Sequence, residues 1–192
     1  MDAPVHEETY QGHTIKIYHD CDPESPRDWD NLGTLICAHS RYQLGDKHNF
    51  ADAREFLLDL LELDDEVGLS VDDLLKRAEK IAVILPVYLY DHSGLVMNTI
   101  GFHCPWDSGQ VGFIYVKLSD IRKEYSIKRI SAKRRLQVAT YLRNEVQTFS
   151  DYISGAVYGY VVEKEDEEIE SCWGFIGEYE GYCLEQARAQ IA

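Results

Sequence analysis

The apolar runs of this chain shift between a period of two and a period near 3.6 without ever alternating strand with helix, and that ordering constrains the fold most. Glu8–Tyr10 and His13–Tyr18 flank a Gln11-Gly12 turn signal and read as a hairpin. Thr34–His39 reads as a further strand. Asn49 reads as an N-cap with Asp52 at the third helical position, opening a helix that carries Phe50, Ala53, Phe56, Leu57, Leu60 and Leu61 at helical spacing. Ser70 opens a second helix that runs through Lys80. Ile81–Tyr90, Leu95–Phe102 and Val111–Val116 are β-branched and aromatic, hence three strands. Ser119–Tyr125 is a short helix. Ser131 caps a long one with the stripe Leu136, Ala139, Leu142, Val146, Phe149 and Ile153, ended by Gly155. Val157–Val162 and Cys172–Phe175 read as a hairpin, and Tyr182–Ile191 as a terminal helix. The order predicts an α+β fold: a mostly antiparallel sheet with helices packed on one face, residues 1–192 in a single domain, and a helical insertion at about 49–80.

Composition narrows the class. Of the 192 residues, 45% are hydrophobic and thirteen are Tyr, enough for a packed core and unlike a disordered chain. No run approaches the length of a membrane-spanning helix. The acidic start, Met1-Asp-Ala-Pro, lacks the basic region and apolar run of a secretory signal. The five cysteines form no CxxC pair, so reduced thiols and a cytoplasmic location are expected.

Charge is divided unevenly. The chain carries a net −15, yet Lys117–Arg143 holds nine bases against two acids, a local +7. Lys133, Arg134 and Arg135 fall in the first turn after the Ser131 cap, with Lys128 and Arg129 just before it. The helix dipole is positive there, so this basic contact segment asks for a negative neighbour, either internal acids or an anionic partner. The acids Asp52, Glu55, Asp59 and Glu62 recur every three or four residues on one helix face, and Asp64, Asp65 and Glu66 extend them. Such a row either keeps the protein soluble or imitates a phosphate array for a basic partner.

Several constellations invite chemistry. His19 and Cys21, with Cys37 and His39, lie on or beside two strands. Side chains two apart share a face, so antiparallel pairing of those strands would gather zinc ligands. These are weak candidates, and no metal or other cofactor is expected. Asp20, Asp22, Glu24, Asp28 and Asp30 crowd one loop, but Ser25 stands where a calcium-binding loop needs Gly, and Asn31 where it needs Glu. Cys104, His92, His103, Asp91 and Asp107 form the ingredients of a Cys/His/Asp set without a recognised motif. No phosphate-binding glycine loop and no HExxH occurs. Trp29-Asp30-Asn31-Leu32-Gly33 and Trp106-Asp107-Ser108-Gly109 echo one another as strand-opening turns, each with Trp as a packing lid.

The motif loops containing Asp22, Arg27, Trp29 and Asp30, then Asp91 and His92, then Trp106 and Asp107, carry a resemblance. Asp22-Pro-Glu-Ser-Pro-Arg-Asp-Trp-Asp-Asn-Leu-Gly-Thr34, Tyr88-Leu-Tyr-Asp-His-Ser-Gly94 and Pro105-Trp-Asp-Ser-Gly-Gln-Val-Gly-Phe-Ile-Tyr-Val116 resemble a family of uncharacterised accessory proteins of phages, prophages and plasmids. Val157-Tyr-Gly-Tyr160 and Ser171-Cys-Trp-Gly-Phe175 fit it too, so the likeness covers most of the chain. It implies a small accessory protein of a mobile element, working in the cytoplasm of a bacterial host, and supplies no catalytic residues. Context and acidity together lead to the expectation of a non-catalytic protein that binds and inhibits a host defence protein or ribonucleoprotein complex, of anti-CRISPR or anti-restriction type, either as a DNA mimic or by occluding a basic channel. Neither direct duplex-DNA binding nor membrane association is expected of it. One alternative is a metal-dependent or Cys/His enzyme built on loops 20–33, 91–94 and 103–110. Another is a nucleic-acid-binding accessory protein that uses segment 117–143.

Overall fold

A computed structural model of the chain describes residues 3–64 and 68–191. Among them, eight strands form two four-stranded antiparallel sheets in an α+β arrangement. The chain divides into two compact units: a terminal unit of Met1–Asp28 with Ser150–Ala192, and a central unit of Trp29–Phe149.

In the terminal unit, β1 (His6–Tyr10) and β2 (His13–His19) join through Gln11 and Gly12, both at positive φ, the geometry of a two-residue hairpin turn. β2 then pairs with β7 (Val157–Lys164), which pairs with β8 (Glu167–Ile176), giving the order β1-β2-β7-β8. The turn into β8 is made by Glu165 and Asp166, again both at positive φ. The alternating residues Ile15 and Ile17, with Tyr160 and Val162, put one face of the sheet against Cys183, Leu184 and Ala187. Those three come from a single wide turn (Tyr179–Cys183) and the short α5 (Leu184–Ala189) that follows it.

In the central unit, β3 (Thr34–Cys37), β4 (Ala82–Asp91), β5 (Leu95–Asn98) and β6 (Ser108–Lys117) are ordered β3-β6-β4-β5. Pro86 sits inside β4, but β5 reaches only from Tyr88 to Asp91. At Pro86 the strand therefore has one neighbour, which is where a proline is tolerated. Gly112 lies where β3 and β6 approach closely, and a Cβ there would fall on the Ile36 carbonyl.

α1 (Ala53–Leu61) and α2 (Val71–Ile81) bury Phe56, Leu57, Leu60, Leu74 and Ala78 against Ile36, Ile84 and Phe113 on one face of this sheet. On the other face, Leu142 of α4 (Ala132–Ile153) meets Ile114 beside Gly33. The helical cover of this sheet is thus two-sided. α3 (Leu118–Glu124) leaves β6 directly and buries Leu118 and Ile121.

Two local expectations are corrected. The first helix is capped by Asp52, not Asn49: Asp52 Oδ1 accepts from Glu55 N–H at 2.9 Å, and Glu55 Oε2 accepts from Ala51 N–H at 2.6 Å. Asp52 thus satisfies an end-of-helix donor, and Glu55 reaches back to tie down the residue before the cap. In α4 the buried stripe is Val138, Leu142, Val146 and Phe149, whereas Leu136 is 65% exposed. Ser70 caps α2 as its sequence implies, accepting from Asp73 N–H at 3.2 Å. Among the described residues no helix is long and apolar enough to cross a membrane.

Candidate functional site

The strongest convergence of chemically capable side chains lies at one end of the central sheet. β4 pairs with both β5 and β6 there, Tyr90 facing Val96 on one side and Ser108 on the other. That register sets Asp91 beside Asp107, and Asp91 N–H donates to the Asp107 carbonyl at 2.8 Å. The turn after β4 is closed by two bonds between His92 and Gly94, which holds His92 at the strand end. Asp107 Oδ2 lies 3.4 Å from His92 Nδ1 and accepts from Cys104 Sγ at 3.6 Å. Ser108 Oγ donates to the Cys104 carbonyl and so fixes the thiol-bearing turn. Arg41, from the loop after β3, donates through Nη2 to Asp91 Oδ2.

The cluster is open to solvent. His92 is 62% and Arg41 66% exposed at the side chain, and Trp106 on its rim is 92% exposed. Nearby, Phe102 packs on Tyr90 with ring centroids 5.5 Å apart, while Ile100 projects into solvent.

No protein-family model, curated protein or solved structure matches the chain. What the cluster can do therefore follows from its own side chains. A Cys–His nucleophile requires the imidazole to take the thiol proton. Here the Asp107 carboxylate contacts both groups, so the thiol's hydrogen bond goes to a carboxylate rather than to a base poised beside it. This is a polar, hydrogen-bonding surface with an unshielded indole at its edge.

The structure joins two of the three expected motif loops, 91–94 and 103–110. It adds Arg41, which no local pattern marks, because its partner Asp91 lies fifty positions along the chain. His103 is exposed. The loop 20–33 is divided between the units. Asp22 N–H donates to Asp20 Oδ1 at 3.1 Å, and Arg27 lies in a 3-10 turn (Pro26–Asp28) where its N–H donates to Ser25 Oγ at 3.2 Å. In the central unit the backbone N–H groups of Leu32 and Gly33 donate to Glu145 of α4 at 3.0 and 3.1 Å. A Cβ on Gly33 would strike Leu142 and Glu145, which explains the glycine closing the Trp29–Gly33 turn. Trp29 and Trp106 are both exposed, so neither is a packing lid; Asp30 is also exposed.

The antiparallel pairing that would gather zinc ligands does not form. β2, carrying His19, pairs with β1 and β7; β3, carrying Cys37, pairs with β6. His39 instead stacks on Tyr42, and the Cys37 carbonyl is held by His48 Nε2 at 3.0 Å. Among the described residues no group of three or more His, Cys, Asp or Glu side chains could hold a metal. Cys21 is exposed, whereas Cys183 is buried and its thiol is pushed up to about 12, by burial first and then by Cys172.

The acidic face is intact where it is described. Asp52, Glu55, Asp59, Glu62 and Asp64 are all exposed, and among the described residues none of them pairs with a Lys or Arg. Asp52, Glu55 and Asp59 line a shallow groove of about 460 Å³ with Arg54, Leu58 and Leu63. Asp65 and Glu66 lie outside the described residues.

Two members of the basic segment meet partial rather than full negative charge within the fold. Arg134 lies over the Tyr125 ring, 4.2 Å from its centroid. Arg135 Nη1 donates to the carbonyls of Glu79 and Ala82, at 3.2 and 3.5 Å, at the C-terminal end of α2. A π face and helix-end carbonyls, each carrying partial negative charge, stand where acids were expected. Lys128, Arg129 and Lys133 stay exposed, without an ion pair among the described residues.

Proposed function

We propose that this chain is a non-catalytic binding protein that docks through exposed carboxylates onto the basic, nucleic-acid-binding surface of a host defence complex, in the manner of anti-restriction or anti-CRISPR proteins of mobile elements. The observation that carries this reading is the exposed row Asp52, Glu55, Asp59 and Glu62 on α1 and its caps, which has no Lys or Arg ion pair among the described residues. Ten residues of helix span about 15 Å, so four charges fall about every 4–5 Å. One DNA strand presents a phosphate about every 3.4 Å and the duplex one per about 1.7 Å. The row thus approximates one strand's backbone rather than a duplex. Asp52 and Glu55 each accept one backbone N–H at the start of α1 and keep their charge facing solvent.

The test is competition. A partner captured from bacterial lysate on the immobilised chain is released by raised salt and by duplex DNA, and the double variant Glu55→Lys/Asp59→Lys no longer captures it. Capture that is indifferent to DNA and to the charge reversal overturns the proposal. A duplex-DNA shift by the chain alone at physiological salt also overturns it, and points to the exposed Lys128, Arg129 and Lys133.

A second reading, an enzyme on loops 91–94 and 103–110, rests on the convergence of Cys104, His92 and Asp107 at one strand end, and needs the imidazole to replace Asp107 as the thiol's partner. A working nucleophile there is alkylated by iodoacetamide faster than the exposed Cys21 and Cys172, and loses that advantage in His92→Ala. Equal or slower labelling removes this reading.

A further inference from the structure

The terminal unit carries a built aromatic cleft that the α1 surface does not involve. The β7–β8 register shifts between Tyr158 and Tyr160, where Gly174 takes a positive φ. The shift sets Trp173 across from Gly159, and the missing Cβ of Gly159 is what lets the indole lie on β7: a Cβ would strike ring atoms Cε3 and Cδ2. Tyr18 pairs with Gly159 from the other side, on β2. Its ring lies 6.4 Å from that of Trp173 at an interplanar angle of 35°. Three adjacent strands therefore hold two aromatic rings side by side, through two glycine-containing motifs that had no assigned purpose, Val157–Tyr160 and Ser171–Phe175.

These rings wall a cleft of about 310 Å³, completed by Ala3, His19, Asp20, Cys21 and Asp22. Its floor is fixed: Asp20 N–H donates to the Val157 carbonyl at 2.8 Å, and Asp20 Oδ1 accepts from Asp22 N–H at 3.1 Å. His19 is braced by Tyr158, 4.8 Å away ring to ring. Among the described residues, neither Asp20 nor Asp22 has a Lys or Arg within ion-pair reach. Trp173 stays 42% exposed, an indole face kept available to solvent.

We propose that the Tyr18–Trp173 cleft binds an organic cation, an ammonium or guanidinium head group, with the charge on the aromatic faces and within reach of Asp20 and Asp22. Aromatic faces carry negative potential and attract cations lying within about 6 Å of the ring centroid. Two nearby carboxylates raise that attraction and disfavour anions. At 6.4 Å the rings adjoin rather than oppose one another, so the cation rests on a shelf instead of being sandwiched. The volume lies at the small end of ligand sites and suits a head group with a few methylenes.

The experiment follows the three indole N–H resonances of the ¹⁵N-labelled full chain during titration, with Trp173 assigned by its loss in Trp173→Phe. The probes are choline, N-acetyl-arginine amide, a short arginine-containing peptide, and the neutral choline isostere 3,3-dimethylbutan-1-ol. The Trp173 resonance should shift saturably with the cations and not with the isostere, while Trp29 and Trp106 stay still. The surface variant Asp20→Asn/Asp22→Asn should weaken binding about tenfold with an unchanged far-ultraviolet spectrum. Tighter binding of the peptide than of the free head groups identifies a basic polypeptide as the source; the reverse identifies a free small molecule. No saturable shift with any cation overturns the proposal. So does an equal shift with the neutral isostere, or undiminished binding by the double variant.

Discussion

Glu8 and Arg188 stand 180 positions apart in sequence and meet through two charge-assisted bonds, Nε to Oε1 at 2.8 Å and Nη2 to Oε2 at 2.7 Å. The Arg188 guanidinium holds the Glu8 carboxyl below its ordinary value of 4.5, against the opposing effect of burial. A carboxyl depressed in the folded state stabilises the fold above its unfolded value and loses that contribution as pH falls through the folded one. Glu8→Gln should therefore lower the melting temperature at neutral pH. The gap to wild type should shrink once pH drops below about 4.5, as thermal melts across pH 3–7 would show; a gap that widens there contradicts the pairing. Gly112 makes a different demand: any side chain must displace the Ile36 carbonyl from the β3–β6 ladder. Gly112→Ala should cost about 1–3 kcal/mol in urea denaturation. Neither requirement could be read locally. Glu8, Arg41 and Gly112 all answer to residues far along the chain, and a single sequence records no such pairing.

At the level of elements, the odd feature of the sequence becomes a contact between helices. Arg135 sits at the unfavourable end of α4 but at the favourable end of α2, where its guanidinium meets the carbonyls of Glu79 and Ala82. Arg135→Gln should thus destabilise the central unit by about 0.3–1 kcal/mol, and added salt should narrow the difference. A stabilising effect would mean that repulsion from Lys133 and Arg134 outweighs the carbonyl contact. Ser70→Ala should cost about 1 kcal/mol through the lost α2 cap, measured by the same denaturation. Caps and turns were the readable part: Ser70, Gln11-Gly12 and Gly155 signal within a few residues of where they act. Asn49 misled because Asp52, three residues on, caps the helix by accepting from Glu55 N–H. Leu136 lies six residues before Leu142 and falls off the stripe, whereas Val138 lies four before it, in phase with Val146 and Phe149. The division of eight strands into two sheets left no local mark.

Across the whole molecule, a net −15 on 192 residues places many like charges within a screening length of one another. Thermal stability should rise as sodium chloride increases from about 10 to 150 mM, where the Debye length falls from about 30 to 8 Å; a fall over that range would mean attractive pairs dominate. The order β1-β2-β7-β8 has a consequence in time. Lys16 and Glu163, joined at 2.6 Å across β2 and β7, are 147 positions apart. Ala82 and Lys117, which pair at one end of the β4–β6 ladder, are far closer in the chain. Two doublings of loop length cost only about 1.2 kcal/mol at equilibrium, but distant closures delay folding. During synthesis the first hairpin leaves the ribosome long before its partner strands exist. It must wait, with the β2 edge open, until β7 has been made, by which time everything needed to complete the β3-β6-β4-β5 sheet is already present.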